Sequence, residues 1–179
     1  MSRPRQPNPA KLVIGLFMAD KALLADLAPL LEARYGPVDA VSPWMAFDFT
    51  TYYRPEMGDR LFRRMLSFRD LIQQADLPRI KTVTNEVEAR FSKDGRRAVN
   101  IDPGYLLHER FVLATGKNFT HRIYLSDGIY ADLTLIFQKN TFQPLPWTYP
   151  DYADGKMLRF LSLVRRRYGL DMKQSGVPS

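Results

Sequence analysis

Val99-Asn100-Ile101-Asp102-Pro103-Gly104-Tyr105 is the stretch on which the fold reading turns. It sets polar groups between two apolar runs, at a place where the chain must turn. Arg97 to Ile101 has the composition of a strand. Asp-Pro-Gly then supplies turn chemistry: an aspartate that can bond nearby amides, a proline with preset φ, and a permissive glycine. Upstream, Asp76-Leu77-Pro78 is a helix start, an acidic cap followed by proline in the first turn. Ile80, Val83, Val87 and Phe91, with Thr84 beside them, give that helix its buried face, and Asp94-Gly95 closes it.

Further out, Lys11 to Met18 (KLVIGLFM) is a nearly continuous apolar run, which suits a central strand covered on both faces. Asp20 can cap a helix whose apolar face is Leu23, Leu24, Leu27, Leu30 and Leu31. Pro29 is expected to kink or interrupt that helix, and Tyr35-Gly36-Pro37 to end it. Val38 to Tyr53 reads as a second strand with a bulge or bend at Ser42-Pro43, Arg54 to Asp59 as a turn, and Arg60 to Leu71 as a third strand.

Strand, helix, strand, strand, helix, strand is the split order of a ferredoxin-like βαββαβ core. Beyond it, Arg110–Thr115, Phe119–Leu125 and Ile129–Phe137 are separated by the turns Gly116-Lys117-Asn118 and Ser126-Asp127-Gly128, and predict a three-stranded meander. Ile129, Ala131, Leu133, Leu135 and Phe137 are expected on one face of its last strand. Pro144 to Asp154 reads as a crossing. Met157, Leu158, Leu161, Val164 and Tyr168 mark a closing helix. The expected class is α+β: a single domain over 11–171, with a disordered tail over 1–10 and a second tail over 172–179.

The chain has 179 residues, 45% hydrophobic and 25% charged, an ordinary globular balance. Its formal charge of +7, from 26 basic and 19 acidic residues, favours polyanions such as nucleic acid or phosphorylated ligands. A basic protein with no such partner has the same composition. There is no cysteine, so disulfides, thiolate nucleophiles and thiolate metal sites are excluded. Met1 to Lys11 lacks the apolar core of a signal peptide, and no apolar run approaches the about 20 residues that span a bilayer. A cytoplasmic protein with no membrane association is expected.

In a ferredoxin-like core the fourth strand runs toward the sheet edge from which the second helix starts. Asp102 to Tyr105 should then lie near the first turns of that helix, beside Arg79, Lys81 and Asn85. A helix N-terminus welcomes an anion, and Lys117, His121 and Arg122 can close on it from the meander. The candidate ligand-binding residues are Lys81, Asn85, Asp102, Tyr105, Lys117 and His121. Each has a plainer reading beside the functional one. Asp102 can serve its own turn, Tyr105 and Tyr124 can edge the core, Lys117-Asn118 can be only a turn, and His121 can be a hydrogen-bonded core histidine. Asn85 is harder to dismiss, because asparagine weakens a helix unless its amide is used. His121 and Arg122 alternate on one strand and face opposite ways, so Arg122 leaves the set before His121 does.

No residue constellation specifies a reaction. His121 with Asp102, Asp127 or Asp151 can make a base and its orienting carboxylate. No serine or threonine stands in a nucleophile elbow. His121 with Asp102 and a Glu or Asp, or His108-Glu109, are the candidates for a metal, and no H-E-x-x-H spacing occurs, so no metal site or cofactor is assigned. Arg63-Arg64, Arg96-Arg97 and Arg165-Arg166-Arg167 are the basic clusters open to RNA, without the ribonucleoprotein signature.

Asp102-Pro103-Gly104-Tyr105 carries a resemblance. So do Ile80-Lys81-Thr82 with Thr84-Asn85, Leu113-Ala114-Thr115 with Lys117-Asn118, His121-Arg122-Ile123-Tyr124-Leu125, and Trp147-Thr148-Tyr149-Pro150-Asp151-Tyr152. In these stretches, in order over nearly the whole chain, the protein resembles a prokaryotic family of unknown function with a DPGY signature. Some members of that family bear a GTP-binding label, and the resemblance brings a nucleotide among the ligands to expect. No G-x-x-x-x-G-K-[ST] loop accompanies it. The residues favour a protein that binds a small anionic or phosphorylated ligand. An RNA-binding module using the sheet face, and a scaffold that only contacts partners, are the alternatives.

Overall fold

β1 (Ala10–Met18) is buried along its whole length, as a continuous apolar run predicts for a strand covered on both faces. The computed structural model describes residues 3–93 and 95–175. The outermost residues of both expected tails, and Asp94 of the expected helix end, lie outside that range. After β1 the Asp20 carboxylate accepts from the Ala22 N–H and starts a short 3-10 turn that leads into α1 (Leu24–Tyr35). Of the kink or interruption expected at Pro29, the interruption does not occur, and α1 runs through it. Pro29 is exposed, as is Ala25 one turn before it, so the carbonyl that loses its partner faces water.

β2 (Val38–Val41) and β3 (Met45–Phe47) are the two halves of the expected second strand, and both pair antiparallel with β4 (Leu61–Ile72). Between them the Ser42 hydroxyl accepts from the Met65 N–H and keeps the ladder closed where Pro43 cannot donate. The expected turn after β3 is a single helical turn, α2 (Arg54–Met57). α3 (Leu77–Arg90) has proline in its first turn, as its sequence signals. A small hairpin of β5 (Ser92–Lys93) and β6 (Arg96–Arg97) follows, then β7 (Val99–Leu106) and β8 (Arg110–Thr115). Next come β9 (Arg122–Ser126), β10 (Ile129–Gln138) and β11 (Thr141–Pro144), and α4 (Pro150–Ala153) and α5 (Gly155–Gln174) close the chain.

The fold is mixed helix and sheet. One nine-stranded sheet has the order β11-β10-β8-β7-β1-β4-β2, with β3 on β4 and β9 on β10. It is larger than the sequence suggested. The expected meander order is not formed: β10 lies between β8 and β9 and pairs with both. These strands are continuous with the rest of the sheet because β8 pairs with β7, and an extra strand, β11, comes just before the segment read as a crossing. α1 and α3 cover one face, where Leu12, Ile14 and Leu16 meet Leu27, Leu31, Ile80 and Val87. α5 covers the other, where Val13, Met65 and Phe111 meet Phe160, Leu161, Val164 and Tyr168. The single face expected for β10 is divided. A register shift between Leu133 and Leu135 turns the strand over, so Leu133 packs with Leu77 and Val112 while Leu135 and Phe137 pack on the α5 side.

Asp-Pro-Gly does not turn the chain. It lies inside β7, with Gly104, Tyr105 and Leu106 opposite Leu113, Val112 and Phe111 of β8. Gly104 is demanded by that approach, since a Cβ there would stand 2.5 Å from the Val112 carbonyl oxygen. Toward its start β7 has no partner strand on this side among the described residues. The Ile101 N–H instead donates to Glu88 Oε1 at 2.7 Å, and the Ile101 carbonyl accepts from Lys81 Nζ at 2.7 Å, both from α3. Backbone groups of alternate residues point the same way, so the N–H that Pro103 lacks would also have faced this gap. A proline is therefore tolerated in a strand that elsewhere has two neighbours. The sheet splits between β7 and β8, and polar side chains of α3 fill the fork.

Candidate functional site

A cavity of about 710 Å³ opens at this fork. Strand alternation places Asn100 and Asp102 of β7 on one face. α3 contributes Lys81, Asn85 and Glu88, one helical turn apart, so they form a polar stripe beside the buried face. Phe47, Tyr53 and Tyr152 supply ring walls, and Lys117 stands at the end of β8.

Gly15 makes room for the floor. A Cβ there would come within 3.0 Å of Tyr152 Oη and 3.3 Å of Arg63 Nη1. Arg63 of β4 is buried, with its guanidinium carbon 4.8 Å from the Phe47 ring centre and 4.9 Å from that of Tyr152. Its Nη2 pairs with Asp151 at 2.9 Å and stands 3.9 Å from Asp102. Burial raises the Asp151 carboxyl above its ordinary value, against the pull of Arg63. Burial likewise raises the Tyr152 hydroxyl, and burial with the Asp102 charge pushes Tyr53 up to about 12. Arg63, Asp151 and Tyr152 are thus held together out of water.

Lys81 Nζ lies 3.8 Å from both Glu88 and Asp102. Arg97 takes Glu56 with two guanidinium nitrogens, at 2.6 and 2.7 Å, and donates from Nη1 to Asn100 Oδ1 at 3.0 Å. The Asn100 amide is thereby fixed in orientation. Among the described residues its Nδ2 has no hydrogen-bond partner, although the residue is only 5% exposed.

Glu88 carries a testable pH dependence. Burial raises its carboxyl above the ordinary 4.5, opposed by Lys81 and the Ile101 N–H. Below pH 4.5 the group is protonated in the folded and unfolded chain alike and contributes nothing. As pH rises from there the unfolded chain releases its proton first, so this group costs stability progressively through its folded value. Glu88→Gln keeps an acceptor for Ile101 and removes the charge. The urea midpoint of the variant relative to the parent should therefore climb from pH 4.5 toward neutrality. A difference that is flat or falls over that range would show that Lys81 outweighs burial here.

Of the residues expected at a site, the fold brings Lys81, Asn85, Asp102 and Lys117 to one cleft. Tyr105 is not among them. It points to the other side of β7 and packs with Leu77 and Val112. His121 stands off the cleft, stacked on Trp147 at 5.0 Å and 3.2 Å from Asp132. Arg122, the residue ranked below His121, does line the cleft. Its Nε donates to the same Asp132 oxygen at 2.9 Å and its Nη2 to Tyr149 Oη. His121 precedes β9 and escapes strand alternation, which is why neighbours expected to diverge converge on one carboxylate. Arg79 is exposed and pairs with Asp76, away from the cleft. Among the described residues no group of three His, Asp or Glu is placed to hold a metal ion.

Arg63, Glu88, Asn100 and Tyr152 are cleft residues that the sequence reading did not place there. The signal for Glu88 was its spacing from Lys81 and Asn85. The signal for Asn100 was its alternation with Asp102. Arg63 and Tyr152 had none, because only the sheet order brings β4 and α4 over Gly15.

The protein family described as "Domain of unknown function (DUF4416)" matches residues 8–168, which is most of the chain, so the chain belongs to that family. No curated protein and no solved structure matches it.

Proposed function

We propose that this DUF4416 chain binds a small phosphorylated or otherwise anionic ligand in the cleft between β7 and β8. The observation that carries the reading is the state of the cations. Arg63, Lys81, Arg97 and Arg122 each stand against a carboxylate. Lys117 lines the same cleft and, among the described residues, meets no carboxylate; its Nζ lies over the Tyr52 ring at 4.6 Å. An anion seated at the mouth by Lys117 would meet the one lining cation that, among the described residues, is not already paired. The cavity, about 710 Å³, is of the size that holds a drug-sized or nucleotide-sized molecule. A nucleotide is one candidate, held without a phosphate loop. We read β7, β1, β4 and β2 with α1 and α3 as a ferredoxin-like core, on which β8 adds the second wall.

A thermal-shift screen with phosphorylated small molecules tests this. A ligand at 100 times its dissociation constant should stabilise the chain by about 2.7 kcal/mol, roughly 5–10 °C for a domain of this size. Lys117→Ala removes an exposed side chain and should fold normally while weakening such a ligand about tenfold, the size of one charge-assisted hydrogen bond. Binding that ignores Lys117→Ala, or no shift with any phosphorylated compound, would defeat the reading. Stacking of RNA bases on the sheet has no comparable observation in its favour, since α1 and α3 lie on one face and α5 on the other.

A further inference from the structure

We infer that the ligand of this cleft carries neighbouring hydroxyl groups, as a sugar phosphate does, and that Asp102 and Asn100 read them. The inference rests on the anionic-ligand reading above and adds what lies behind the anion.

The chemistry follows from two unmet groups on one strand. Asp102 faces the cleft, and its nearest cations, Lys81 and Arg63, stand at 3.8 and 3.9 Å, longer than hydrogen bonds. Its carboxylate is left with acceptor capacity. Asn100 presents the opposite: its Oδ1 is taken by Arg97 Nη1, and its buried Nδ2 has no acceptor among the described residues. An ionised carboxylate only accepts and an amide NH2 only donates, whereas a hydroxyl does both. The two residues are two apart on β7, about 6.6 Å along the strand with side chains on the same face. Adjacent hydroxyls can span that distance with a hydrogen bond at each end, one donating to Asp102 and the other accepting from Asn100.

A bare phosphate fits this floor poorly. Its negative charge would be repelled by the Asp102 carboxylate there. The division of the cleft then makes sense: the anion sits at the mouth on Lys117, and the hydroxyl-bearing part reaches inward. Phe49, Tyr52 and Tyr149 are exposed rings that line the same cleft and can cover the apolar face of a sugar. The rigid hold on Asn100 supports a selective role. Arg97 fixes the amide while itself clamped by Glu56, so the NH2 cannot swing away to find another acceptor.

The experiment is calorimetric titration of the full chain with a panel of aldose phosphates, set against ethyl phosphate, phenyl phosphate and inorganic phosphate. The best aldose phosphate should bind at least about tenfold tighter than any hydroxyl-free probe, because a site with buried polar groups rejects a ligand that leaves them unpaired. Asp102→Asn should abolish most of that preference while leaving ethyl phosphate as it was or tighter. Asn100→Ala should weaken aldose phosphates only. Equal affinity for both classes in the unaltered chain would overturn the hydroxyl inference and leave the anion site standing. Equal weakening of both classes by Asp102→Asn would also overturn it, marking Asp102 as structural. Absence of binding by every phosphate compound would remove both readings together.

Discussion

Lys11→Met should lower the stability of this protein by about 3–5 kcal/mol, the cost of leaving buried charge without its counter-charge. Lys11 is 0% exposed, at the start of the central strand, and its ammonium binds Asp39 of β2 and, at 2.6 Å, Asp171 of α5. One side chain thus ties three elements together. The stem packs among apolar neighbours, so methionine fills the space but leaves two carboxylates facing a void of charge. For a domain of this length each kcal/mol moves the melting temperature by roughly 2–4 °C, so a drop of about 10 °C is expected in calorimetry. The companion triple variant Lys11→Met, Asp39→Asn, Asp171→Asn should recover most of the loss, because removing all three charges is far less costly than removing the one cation. Failure of the triple variant to recover would show that the lysine acts by packing. A loss under about 1 kcal/mol in the single variant would show that the pairs are wet.

That lysine also shows where sequence reading stopped. KLVIGLFM marked a central strand correctly, because burial on both faces writes itself as a continuous apolar run. The same run hid Lys11, whose partners lie 28 and 160 residues away and leave no local pattern. Most element types were legible for the same local reason: a cap at Asp20, a proline-led start at Leu77, a Gly at the ends of turns. DPGY misled because its chemistry is local only by habit. Proline and glycine commonly signal a turn, yet here each answers a neighbour: Pro103 a missing strand, Gly104 a strand that comes too close for a side chain. The nearness of Lys81 to Asp102, at 3.8 Å, was foreseen from strand and helix order. Its setting among Glu88, Arg63 and Asp151 was not, since those carboxylates and that arginine meet only when the sheet forks and α4 folds over Gly15.

Arg63→Met should destabilise the chain by about as much as the Lys11 replacement at neutral pH, and by far less in acid. Arg63 is 3% exposed, its guanidinium over the Phe47 and Tyr152 rings, with Asp151 at 2.9 Å and Asp102 at 3.9 Å. Arg63 itself is held charged: burial works against its proton, but the neighbouring Tyr152, Asp151 and Asp102 raise its pKa. The Asp151 carboxyl is already pushed above its ordinary 3.8 by burial, with Arg63 the chief force holding it down. Without Arg63 it must rise further. Below pH 3.8 the carboxyl is protonated in both folded and unfolded chains, and the variant loses only packing. Above that the unfolded chain ionises first in both proteins, and the deficit of the variant should widen from the pH at which the parent's folded carboxyl ionises until that of the variant does too. Paired urea titrations at pH 4 and pH 7 read this directly. Asp151→Asn placed on Arg63→Met should close most of the gap at pH 7 and little of it at pH 4, an interaction a double-mutant cycle isolates. Arg63→Lys should not restore the parent, because a compact ammonium cannot lie flat between two rings while reaching Asp151. A deficit equal at both pH values would mean that Arg63 serves the floor of the cleft by its shape, and that its charge there is incidental.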